Sequence, residues 1–150
     1  MTTKRIVFGS ARDELALSPI RREWILEGNP IARKKNLSSS ADGTASTFVW
    51  DCTAGRFNWH YQVDETICVL EGAVTITDLA GGARTLEVGD TAFFPAGSNA
   101  EWRVDGYVRK IAFLRTPLTA QAILARRVTG KLRHIITGGN GKRSNAGPSI

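Results

Sequence analysis

The stretch Thr66-Ile67-Cys68-Val69-Leu70-Glu71-Gly72, answered two short runs later by Gly89-Asp90-Thr91-Ala92-Phe93-Phe94-Pro95-Ala96-Gly97, decides the fold class. Each half is a brief apolar, β-branched or aromatic run closed by glycine or proline, the grammar of a strand ending in a tight turn. The same grammar extends on both sides. Strands are expected at 46–52, 56–62, 66–70, 73–77, 84–88, 91–94, 100–104 and 107–115, separated by Gly55, Asp64, Gly72, Gly81-Gly82, Gly89-Asp90, Pro95-Gly97 and Asp105-Gly106. Short strands at this spacing predict an all-β antiparallel sandwich or barrel.

Around this centre, composition sets limits. A chain of 150 residues is read as one domain, able to bury about 70 % of its unfolded surface without disulfides. Cys52 and Cys68 form no C-x-x-C pair and read as small strand hydrophobes, not as a zinc site. The opening Met1-Thr2-Thr3-Lys4-Arg5 leads into no secretory apolar region, and no run approaches the roughly 20 apolar residues of a membrane span. The expectation is a cytoplasmic protein without membrane partners.

The net charge of +6 is uneven: residues 1–37 carry +4, residues 38–115 carry −4, and residues 116–150 hold six basic side chains and no acidic one. Basic ends around an acidic centre can mark nucleic-acid binding, but no aromatic interleaving or nucleic-acid motif accompanies them, so that partner is disfavoured.

Residues 1–43 read as an irregular arm punctuated by Ser18-Pro19 and Gly28-Asn29-Pro30, whose Trp24-Ile25-Leu26 needs cover from the barrel or a second subunit. The barrel itself spans 44–116. Beyond it, Thr116-Pro117 is read as an N-cap and first helical residue, and Leu124, Val128, Leu132 and Ile135 give an amphipathic helical stripe over 117–137 that Gly130 weakens or splits. Residues 138–150 read as a flexible basic tail.

Trp50-Asp51-Cys52-Thr53-Ala54-Gly55, Phe57, Trp59, Asp64-Glu65, Val69-Leu70-Glu71-Gly72, Gly89-Asp90, Phe94-Pro95-Ala96-Gly97, Trp102 and Val108-Arg109-Lys110 together carry a resemblance. Across roughly residues 20–115 the chain resembles the cupin superfamily. Within it the chain is similar to the small cupins typified by the cupin domain of ureidoglycine aminohydrolases, and to the ethanolamine-utilisation cupin. The resemblance implies a jelly-roll barrel, usually a homodimer, with any site inside the barrel mouth. It does not imply one reaction, because a fold hosts many functions.

In cupins that bind a divalent metal, the resemblance implies ligands at the places that fall here on Asn58, His60, Glu65 and Ala100. The histidine of the second motif is thus replaced by Ala100, leaving His60 and Glu65 as the strong donors, where durable sites offer three or more. A one-residue shift would instead turn Trp59 and Tyr61 inward and keep only Glu65. Glu65 is read either as metal ligand, general base or ligand anchor, or as a structural ion pair with Arg109 or Lys110. His60 beside it would suit acid–base work, and Tyr61 could offer its phenol to a ligand. Strand alternation that turns Ala100 inward turns Trp102 inward too, so Asn58, Trp59, Ala100 and Trp102 are the expected pocket residues.

The reading that follows is a single-domain dimeric cupin binding a small polar metabolite, with Glu65, His60 and Tyr61 near it. Its enzymatic version is a hydrolase or lyase acting on a nitrogen-containing or carboxylated metabolite. The rival is a non-catalytic scaffold whose basic C-terminal extension meets an acidic partner.

Overall fold

In the computed structural model, residues 4–137 are described, with side chains through Val128. The chain divides into two units between Pro117 and Leu118. The first contains nine strands: β1 (Ala16–Leu17), β2 (Ile25–Gly28), β3 (Ala32–Ser39), β4 (Ala45–His60), β5 (Asp64–Gly72), β6 (Val74–Asp78), β7 (Ala83–Leu86), β8 (Thr91–Phe94) and β9 (Asn99–Arg115). The second contains one helix, α1 (Ala120–Thr137).

Two strands are twice the expected length. The runs at 46–52 and 56–62 join into β4, and those at 100–104 and 107–115 join into β9, which pair antiparallel along their whole course. Gly55 and Gly106 therefore sit within strands and close no hairpin. At Gly55 the reason is space: a Cβ there would lie 2.8 Å from the Pro30 ring. The β4–β9 register also shifts between Thr53 and Gly55, where Ala54 of β4 stands against Asp105 and Gly106 of β9, a β-bulge at which the strand pair bends.

The bend carries each long strand from one sheet to the other. The first half of β4 and the second half of β9 lie in a sheet ordered β1-β3-β4-β9-β5-β8. Their other halves lie in a second layer, ordered β2-β4-β9-β6-β7. Strands that switch sheets at bulges make the corners of such a sandwich, here the expected jelly-roll barrel.

The interior is aromatic. Trp50, Phe57 and Trp102 pack on one another with centroids 5.7–6.4 Å apart, and Phe94 lies 6.1 Å from Trp102. Side chains of this size, fully buried, contribute on the order of 1.5–3 kcal/mol each.

The arm is largely regular over residues 16–39. It supplies β1, β2 and β3, because Ala32–Ser39 finds an open edge on β4 and the backbone polar groups of both are satisfied by pairing. Trp24 and Ile25 pack against the core, while Leu26 stays exposed. Ahead of β1, Arg109 donates to the carbonyls of Ala11 and Asp13, each at 2.9 Å, tying the chain start across the outer sheet face. Buried Asp51 gathers Arg33, the Tyr107 hydroxyl and Arg109 on that face.

The helix departs from expectation at its start. Thr116 still belongs to the sheet, its N–H donating to Thr44 at 2.7 Å, and the cap is Thr119, whose carbonyl and hydroxyl receive the N–H groups of Ile123 and Ala122. The backbone of α1 runs through Gly130 without a break. The tail expected at 138–150 lies outside the described residues. No helix among those described is long and apolar enough to cross a membrane.

Candidate functional site

The β4 side chains that enter the barrel change parity across the irregularity at Thr53–Gly55. Before it, Trp50 and Cys52 face the core; after it, the inward set is Phe57, Trp59 and Tyr61. Side chains alternate with period two, so this change carries every later position of β4 to the other face. Asn58 and His60 therefore take the outer face. Asn58 is half-buried opposite Glu101, and exposed His60 hydrogen-bonds Asn99 through Nδ1 and meets the Trp24 ring edge-on at 4.9 Å.

Glu65, on β5, is inside and 7 % exposed. Its Oε1 accepts a hydrogen bond from Lys110 Nζ at 2.6 Å, and Lys110 is 5 % exposed. The ammonium also lies 4.6 Å from the centroid of Trp102 and 5.0 Å from that of Trp50, a cation–π arrangement on two faces. Of the two structural pairings open to Glu65, that with Lys110 forms; Arg109 points to the opposite face and Asp51. The structure does not bring His60 to Glu65.

Tyr61 is buried beside this pair, stacked on Phe94 at 4.3 Å, with its hydroxyl accepting from Trp102 Nε1 at 2.9 Å. Burial raises its phenol pKa well above the ordinary range, the charge of Glu65 adds to that, and the Trp102 hydrogen bond works against it. Tyr61 is a neutral phenol here. Ala100 and Trp102 face inward, as alternation along β9 requires, and Trp59 is half-buried against Trp24.

The donors do not fit a divalent metal. Of the four places that the resemblance implies, Asn58 and His60 face outward, Ala100 has no donor atom, and Glu65 is bound to an ammonium. Pairing His60 and Glu65 as ligands is corrected accordingly: they occupy opposite faces of the barrel wall. Among the described residues, no three His, Cys, Asp or Glu side chains are grouped to hold a metal ion.

A cavity of about 520 Å³ opens between the edge strand β8 of the first sheet and β6–β7 of the second. Its floor is Ile76, Leu86, Phe94 and Ala100, and its rim carries Asp78 and Arg84. Ala100 thus widens the mouth where a histidine side chain would stand, and Phe94 separates the cavity from Tyr61. The sequence reading missed Arg84 and Asp78, which lie on a strand pair outside the quoted motifs; their spacing of two residues from Leu86 and Ile76, which puts each pair on one strand face, was the available signal.

A double-layered β barrel with a mouth at one sheet edge defines the cupin class, and the chain belongs to the cupin superfamily. Residues 39–112 match the model of the EutQ-like cupin domain. A solved protein of unknown function from Pseudomonas syringae pv. tomato, assigned to the DUF861 family, is similar at 27 % identity over 70 % of this chain, with a TM-score of 0.65. The match covers 46 % of that protein, so the chain spans about half its length. A putative ethanolamine utilization protein Q from Salmonella typhimurium is 24 % identical over 57 % of this chain and 69 % of its own, with a TM-score of 0.51. The Clostridium difficile EutQ protein is 22 % identical over 57 % of this chain and 63 % of its own, with the same TM-score of 0.51. No curated protein matches the chain in sequence.

Proposed function

We propose that this cupin binds a small nitrogen-containing carboxylate in the cavity between β8 and β6–β7. The observation that carries the reading is that Arg84 and Asp78 both stand on the rim of one apolar cleft: a guanidinium suited to a carboxylate, a carboxylate suited to an amine or amide, and an apolar floor for the carbon skeleton. Arg84 is solvated and only loosely engaged by Asp90, at 3.8 Å, so it is free to turn to a ligand. The test is a thermal-shift screen of amino and amido carboxylates, followed by calorimetry on hits. Arg84→Ala is expected to weaken binding at least tenfold, and Ala92→Phe, which fills the cleft, to abolish it. Equal binding by all three proteins would remove the reading.

A hydrolase or lyase activity related to ureidoglycine aminohydrolases is the catalytic version. It would require Glu65 as base, with Lys110 displaced from it, and the Tyr61 phenol close by. Its check is turnover on the ligand found above, with a pH–rate profile altered in Glu65→Gln.

The scaffold reading draws on a separate observation: Ile123, Leu124 and Val128 of α1 are exposed, in a segment without acidic residues. An acidic partner would be retained by the full chain and released by salt, and lost on removal of residues 130–150. The homodimer is proposed to bury the outer face of β8, β5 and β9, where Phe93 and Phe113, 60 % and 49 % exposed, flank Thr66. Light scattering of Phe93→Asp against the parent chain tests it. The cytoplasm remains the proposed compartment.

A further inference from the structure

We infer that Lys110 is the resident cation of this barrel, and that the interior is built for an ammonium and not for a divalent metal. The first support is position. Lys110 pairs with Trp50 on β4 and with Val69 on β5, so it stands in the middle of the first sheet and its side chain enters the core by strand alternation.

The second support is the enclosure. One carboxylate at 2.6 Å and two indole faces at 4.6 and 5.0 Å surround Nζ, and Glu65, Trp50 and Trp102 are all buried. Carboxylate plus aromatic walls is the chemistry that recognises ammonium groups; indole faces offer no lone pair to a transition metal.

The third support is charge. Glu65 and Lys110 neutralise each other, and no buried side-chain nitrogen or oxygen among the described residues is left without a hydrogen-bond partner. A divalent ion at Glu65 would meet the Lys110 ammonium in a low-dielectric interior, with no second carboxylate there to balance it.

The inference is independent of the ligand proposed above. The experiment uses the untagged full chain. Elemental analysis is expected to find no stoichiometric manganese, iron, cobalt, nickel or zinc, and incubation with each ion is expected to leave the melting temperature unchanged. Lys110→Met leaves Glu65 buried and unpaired, so its melting temperature is expected to fall by many degrees or the chain to misfold. Glu65→Gln with Lys110→Met restores a neutral pair and is expected to recover much of that loss. Stoichiometric metal in the parent chain that disappears in Glu65→Gln would overturn the inference. So would a double variant no more stable than Lys110→Met alone.

Discussion

The indole N–H of Trp102 donates to the hydroxyl of Tyr61 at 2.9 Å, joining the second-sheet half of β9 to the turn that follows β4. Both residues are buried, so the bond is made where water cannot replace it. Tyr61→Phe keeps the stacking on Phe94 and orphans the indole donor. The expected loss is about 1–3 kcal/mol, read from urea unfolding.

The same hydroxyl gives the protein an alkaline limit. Its pKa is raised above the ordinary 10.0 by burial, so above that pH the unfolded chain releases the proton while the folded chain keeps it. Stability is therefore full below about pH 10 and falls as pH rises beyond it. Tyr61→Phe is expected to flatten this limb, measured as melting temperature between pH 8 and pH 11.

Asp64 sets part of the acid limb. Its Oδ1 accepts the Ala96 N–H at 3.0 Å and its Oδ2 meets Arg115 at 2.6 Å, and these bonds, the backbone one foremost, hold its pKa below the ordinary 3.8. A depressed carboxylate stabilises the fold above its unfolded value, and that contribution is lost as pH falls through the lower folded value. Asp64→Asn is expected to lower the neutral-pH melting temperature and to reduce its dependence on pH between 5 and 2.

Two glycines with similar backbone angles should respond very differently. Gly72 has φ of 71°, and a Cβ there would lie 1.9 Å from the Tyr107 carbonyl oxygen; Gly43 has φ of 70° and nothing within 4 Å. Gly72→Ala is expected to prevent folding. Gly43→Ala should cost only the left-handed backbone penalty, about 1–2 kcal/mol. Soluble yield and thermal unfolding separate the two outcomes.

The cysteines are expected to differ in the native state. Burial pushes the Cys52 thiol up to about 12, and it is fully enclosed, whereas Cys68 is half-buried. Alkylation at pH 8 followed by peptide mass analysis should mark Cys68 alone until the chain is unfolded.

Part of the barrel interior was legible in the sequence. The inward placement of Ala100 and Trp102 follows from alternation along β9, which is regular from one to the other, and Lys110 is one of the two cations that the sequence offers as a mate for Glu65. The metal ligands were harder, because their positions came from a resemblance that assumes one register through residues 58–61. The β3 pairing was also hidden: Ala32-Arg33-Lys34-Lys35 is too basic to read as a strand, and only its place beside β4 makes it one.

By itself, the sequence determined the all-β class, the turns that punctuate it, the cupin resemblance and the missing histidine at Ala100, because these rest on residue types and local spacing. Tertiary structure alone decided which of Asn58, Trp59, His60 and Tyr61 face the interior. It also chose Lys110 over Arg109 for Glu65, and put Arg84 and Asp78 at the mouth. The physical reason lies at Thr53–Gly55: the alternation along β4 inverts where its register against β9 shifts, and a register is a relation to a distant strand that no local pattern in residues 50–61 announces.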